Sequence, residues 1–199
     1  MASKERRIES ALAIEFLGYT PLQSQEELVL ISDVSVNMDF LEGLSEPDTE
    51  DFDLASVDAS ALGDVTLDFV PDFMFPIDGL LPDLELVMAD AGAFASVMFE
   101  NFGGDDFAEA LEQISVIGGT GAMLEILNRA EYDDDEGYNT GEAGDDFMAA
   151  LEQIIVDGGN GQTTVDIVNE GGRDFMEELT IIDVMAMGDV SVKIDADFY

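Results

Sequence analysis

Carboxylates are the side chains best able to do chemistry in this chain: it has 46 Asp and Glu, with no His and no Cys. Calcium is the first ligand such a set suggests, because hard cations take oxygen donors. Asp133-Asp134-Asp135-Glu136-Gly137 resembles an acidic calcium loop, but its glycine comes one position too early for an EF-hand. Gly118-Gly119-Thr120-Gly121 and Gly158-Gly159-Asn160-Gly161 open like calcium-binding β-helix nonapeptides, yet Met123 and Thr163 stand where the next Asp belongs. The expectation is no specific metal site, only nonspecific monovalent or divalent cations on an acidic surface.

Paired carboxylates can also act as acid and base, as in glycosidases. With so many acids, suitable spacings arise by coincidence and single out no pair. The absence of His removes the commonest general base and transition-metal ligand. The absence of Cys removes disulfides, thiol nucleophiles and thiolate metal sites. No nucleophile–base set, Walker loop or dinucleotide fingerprint occurs. No catalytic residue, organic cofactor or small-molecule substrate is expected, and the chain is read as a non-enzyme.

The charge then narrows the setting. Only 6 Lys and Arg oppose the acids, for a formal net charge of −40 on 199 residues. Self-repulsion of that size destabilises a compact chain, and it opposes direct nucleic-acid contact. Yet 47% of the residues are hydrophobic, which is unlike a disordered acidic tail. At ~1 M salt the Debye length is about 3 Å, so separated carboxylates hardly interact. The composition therefore predicts a folded protein from a molar-salt environment, such as a halophilic archaeon or one of its viruses.

Among the elements, residues 3–17 are predicted to form one amphipathic helix, from Ile8, Leu12 and Phe16 at near-helical spacing. Ser3 would cap its start, and Gly18 and Pro21 would end it. Residues 1–20 make an N-terminal foot and residues 21–199 a β-barrel domain. Lys4, Arg6 and Arg7 hold half of the cations and are the candidate membrane-proximal basic residues. The N-terminus lacks the apolar stretch of a secretory signal, so synthesis and assembly in the host cytoplasm are expected. From Glu27 onward, short alternating runs between Gly, Asn and Asp turns predict about ten strands. The last is Val190, Val192, Ile194, Ala196 and Phe198 on one face. The aromatic loop with Phe73, Met74 and Phe75 is the candidate subunit interface.

A repeat is the clearest pattern. Residues 104–121 match residues 144–161 at most positions, and a weaker copy spans 172–184. Asn101, Asn139 and Asn169 each precede a copy. The second half of each unit is predicted as strand, and the first half fits either a helix or a bulged strand. The units are read as repeated hairpins, too few for a solenoid.

In size, composition and layout the chain resembles the smaller major capsid proteins of haloarchaeal icosahedral internal-membrane viruses, the sphaerolipovirus type. That resemblance implies an all-β single jelly-roll or β-sandwich barrel with one N-terminal helix. It implies a virion capsid protein that forms homo-oligomers and capsomers with a second, related capsid protein. Residues 1–19 would then lie against the membrane surface. The alternatives are a tail-tube, decoration or spike protein of a haloarchaeal virus, or an immunoglobulin-like adhesion module.

Overall fold

The computed structural model describes residues 4–17, 26–41, 54–71, 79–102, 104–133, 138–170 and 172–197. The strands are β1 (Lys4–Ser10), β2 (Ile14–Leu17), β3 (Glu26–Ser32), β4 (Val36–Asp39) and β5 (Leu54–Ala61). They continue with β6 (Val65–Phe69), β7 (Leu86–Ala91), β8 (Phe94–Phe102), β9 (Gln113–Gly118) and β10 (Gly121–Asp133). The last are β11 (Tyr138–Ala143), β12 (Gln153–Asp157), β13 (Gln162–Glu170), β14 (Ile181–Met185) and β15 (Val190–Asp197).

Successive strands alternate between two sheets. One sheet runs β1-β3-β5-β7-β9-β12-β14 and the other β15-β13-β10-β8-β6-β4-β2, with β11 attached to β10 alone. Every neighbouring pair along both sheets is parallel. The chain therefore winds as a parallel β-solenoid. Each coil is a strand of the first sheet, a tight corner, a strand of the second sheet and a longer return.

The register aligns like with like. In the first sheet Leu28, Val57, Val87, Ile114 and Ile154 form one inward column, and Leu30, Ala59, Ala89, Val116 and Val156 the next. In the second sheet Met38, Leu67, Val97, Leu124 and Val165 form a column. All are buried. Side-chain volume falls toward the corner, where Ser32, Ala61, Ala91 and Gly118 succeed one another. Phe40 stacks on Phe69 at 4.5 Å and Phe69 on Phe99 at 4.6 Å between ring centroids.

The all-β, two-sheet expectation holds, and three finer expectations do not. First, the N-terminal helix is absent: residues 4–17 are β1, a corner and β2. Ile8 and Ser10 lie in register with Leu30 and Ser32, so the edge of β3 supplies backbone partners that local helical spacing cannot match. Leu12, counted on the helical stripe, is an exposed corner residue. Second, the strand order is not that of a jelly roll, which is built from antiparallel pairs. Third, the repeated units are not hairpins. β9 and β10, which flank the Gly118-Gly119-Thr120-Gly121 corner of the first copy, belong to different sheets and pair instead with β7, β12, β8 and β13. The copies are coils of a solenoid after all.

The return arcs close the third side. In residues 105–112, 145–152 and 173–180 the first half of each repeat is a turn rather than a helix or strand. Asp106, Ala108, Asp146, Met148, Asp174 and Met176 have φ between 49° and 57°. Left-handed backbone costs a non-glycine residue roughly 1–2 kcal/mol. Inter-coil hydrogen bonds compensate: Asp106 N–H donates forward to the Asp145 carbonyl, and Met148 N–H back to the Phe107 carbonyl. Leu80 accepts from Ala108, which adds residues 79–84 as a fourth, divergent arc with left-handed Gly79 and Leu81. The arcs bury a second aromatic stack, Phe107 on Phe147 at 5.1 Å and Phe147 on Phe175 at 5.5 Å.

Phe147→Ala removes the middle ring of that stack and should destabilise the fold by about 3–5 kcal/mol. Glu109→Ala, exposed on the neighbouring arc, should stay within about 0.5 kcal/mol. Urea unfolding at molar KCl compares the two.

Candidate functional site

The polar residues that the fold brings together lie where the second sheet ends and the arcs begin. Asn101, Asn128 and Asn169 share one column and are buried. Asn101 Nδ2 donates to Asn128 Oδ1 at 3.0 Å, and Asn128 Nδ2 to Asn169 Oδ1 at 2.9 Å. The same amides donate to the carbonyls of Gly104, Gly144 and Gly172 at 2.6, 2.7 and 2.8 Å. The ladder satisfies carbonyls that leave the strand geometry inside the protein. A Cβ on Gly144 would collide with the Gly104 carbonyl and the Asn101 amide, which explains the glycine that opens each repeat.

Asn139, expected from sequence as the middle member, is not the rung. It sits on β11 opposite Tyr132, and Asn128 takes the place. The strand β11 lies in an extra segment of this one coil. The arc-to-arc spacing from Phe107 to Phe147 is accordingly longer than that from Phe147 to Phe175.

An acidic ladder runs beside the amides. Asp105 Oδ1 accepts from Asp145 N–H at 2.8 Å, and Asp145 Oδ1 accepts from Arg173 N–H at 2.7 Å. Arg173 Nε lies 3.6 Å from Asp145 Oδ2 and closes this column with opposite charge. The adjacent column is Asp106, Asp146 and Asp174. Partial burial and then the charges of Asp174 and Asp106 push the Asp146 carboxyl above its ordinary value. On the outer face of the second sheet, burial and the neighbouring Asp39 do the same to Asp68. These carboxylates cap backbone and repel one another. Among the described residues no group of three or more acids is arranged to hold a metal ion. The calcium-like stretch lies largely outside the described residues, at 134–137.

Of the residues singled out from sequence, Arg6 and Arg7 sit on β1, the outermost strand of the first sheet, with Lys4 at its start. A strand turns successive side chains to opposite faces, so Arg6 and Arg7 lie on opposite faces of the sheet. Arg7 Nε donates to Glu9 Oε1 at 2.6 Å, which raises the guanidinium pKa further. An open depression of about 320 Å³ lies nearby, lined by Glu9, Ser10, Ala11, Ile31 and Asp33. It offers no nucleophile activated by a base. Phe73, Met74 and Phe75 lie outside the described residues.

Asn128→Ala orphans the Gly144 carbonyl and one N–H of Asn101 Nδ2, while Asn169 Oδ1 keeps the Gly172 N–H. At about 1–3 kcal/mol per buried orphan, the loss should total roughly 2–5 kcal/mol, read by urea unfolding. Asp68 carries an opposite pH signature. Its folded pKa is raised, so its ionisation opposes folding above that pKa, and the opposition fades as pH falls through it. Asp68→Asn should therefore stabilise the fold at neutral pH, and the gain over wild type should shrink toward zero in acid. Thermal melts across pH at constant molar salt check the sign.

Compared with known proteins, the chain matches no protein-family model, no curated protein and no solved structure.

Proposed function

We propose that this chain is a non-catalytic structural protein of a haloarchaeal virus, serving as a spike or decoration component of the virion. The observation that carries the reading is the set of buried apolar inward columns that runs from coil to coil. Such a solenoid is a stiff element of fixed rise, about 4.8 Å per coil, and its geometry is repetitive rather than convergent. Catalysis needs convergent groups of different kinds. Repetition suits spacing, reach and display.

Parallel winding favours a projecting element over the upright jelly-roll capsomer of the capsid reading, because its sheets end in open edges along the winding axis. The acid load fits the same setting. Its Asp and Glu columns face outward, where molar salt screens them.

Circular dichroism should show native strand structure at molar KCl and its loss toward ~0.1 M, where the Debye length reaches about 10 Å. Full structure in dilute buffer would refute the high-salt setting. Electron microscopy of the particle should place the chain on a surface projection. Density for it only in a continuous shell would favour the capsomer reading instead.

A further inference from the structure

Among the described residues nothing covers the last coil. Ile182, Val190, Val192 and Ile194 continue the inward columns of Ile154, Thr163, Val165 and Ile167. Those four preceding rungs are at most 2% exposed, whereas the last rungs are 36%, 48%, 46% and 54% exposed. Among the described residues β14 and β15 are outermost in their sheets, so each also offers an unpaired edge row of backbone N–H and C=O groups. At the opposite end β1 and β2 are outermost, with Ile8 and Leu12 exposed.

The two ends complement each other in direction, register and charge. Along the winding path each sheet is parallel throughout, so translation along the winding axis brings β14 beside β1 and β15 beside β2 of a second copy, each parallel to its new neighbour. The existing columns set the register. Val184 meets Ile8 and Val190 meets Ile14 on the inner side, and Asp183 meets Arg7 on the outer side. The strand β1, with Lys4, Arg6 and Arg7 against Glu5 and Glu9, is the one described strand of net positive charge. The facing end is acidic, with Asp183, Glu177 and Glu178. The charges on β15, Lys193 and Asp195, face outward and leave its apolar row open.

The geometry points to head-to-tail stacking of this chain on a second copy of itself, β14 on β1 and β15 on β2, with Asp183 paired to Arg7 of the next copy. It names a partner for the structural reading above and rests on it. One residue in the seam opposes the stack. Arg6 is the single charged rung in the column that ends at Ile182; its alkyl stem can cover Ile182, but its head weakens an apolar seam.

Sedimentation of the 199-residue chain at molar KCl tests this over a range of concentration, with circular dichroism confirming that each variant is folded. The wild type should form dimers and longer stacks. Asp183→Arg and Arg7→Asp should each weaken association roughly tenfold or more, because like charges then face each other across the seam. The double variant should recover it. Arg6→Leu should lengthen the stacks, and Val190→Lys, at the rung that meets Ile14, should abolish them. A wild type that sediments as a monomer at every concentration would overturn the proposal, as would single swaps without effect or a double swap without recovery. A monomer that still maps to a virion projection would overturn the stacking and leave the structural role standing.

Discussion

Each coil of this protein is held by the coil before it and the coil after it, and in-register stacking of like side chains is the interaction on which the rest depends. Parallel pairing gives every residue a neighbour at the same position of the next turn. A column therefore works only when successive members have compatible size and polarity. Leu28, Val57, Val87, Ile114 and Ile154 meet that condition, as do Phe107, Phe147 and Phe175. Asn101, Asn128 and Asn169 meet it with polar atoms, since an amide can donate to one neighbour and accept from the other.

The same rule makes acidic residues expensive. An Asp placed at an outward position tends to face another acid one coil away, as Asp39 faces Asp68 and Glu125 faces Asp166. Cations relieve few of these columns: Arg129 pairs with Glu100, Lys193 with Asp166 at 3.4 Å, and Arg173 with Asp145. Elsewhere dissolved ions must do the screening. The fold and the charge are thus two halves of one dependence. A solenoid concentrates like charges in rows, and molar salt makes such rows tolerable.

Function follows from repetition as well. The amide and acidic ladders look like clusters with chemical purpose, but the amides donate to one another and to carbonyls of their own coils, and the acids accept from backbone N–H groups of the next coil. They secure the arcs, whose left-handed residues would otherwise leave the chain. Among the described residues the inward columns end in exposed rungs at Ile182, Val190, Val192 and Ile194, where the stacking interaction has no next partner. That is where interaction with another molecule is physically favoured.

By itself the sequence determined the predominance of strand and the repeat. Composition and alternation are local quantities, and the alternation of Val190, Val192 and Ile194 survives intact as β15. The second half of each repeat is strand, as its pattern predicts. What only the tertiary structure decided was the partner of each strand. A corner such as Asp90-Ala91-Gly92 reads the same whether the flanking strands pair with each other or part to opposite sheets. The choice is made by coils some 28 or 40 residues away, as the Phe147–Phe175 and Phe107–Phe147 stacks show. The N-terminal segment makes the point most sharply. Ile8, Leu12 and Phe16 have helical spacing, and no local signal outweighs it, but the free edge of β3 does by offering a complete row of backbone partners. The substitution of Asn128 for Asn139 has the same cause. Only inter-coil register reveals that β11 belongs to an extra segment, because register is a property of neighbours in space.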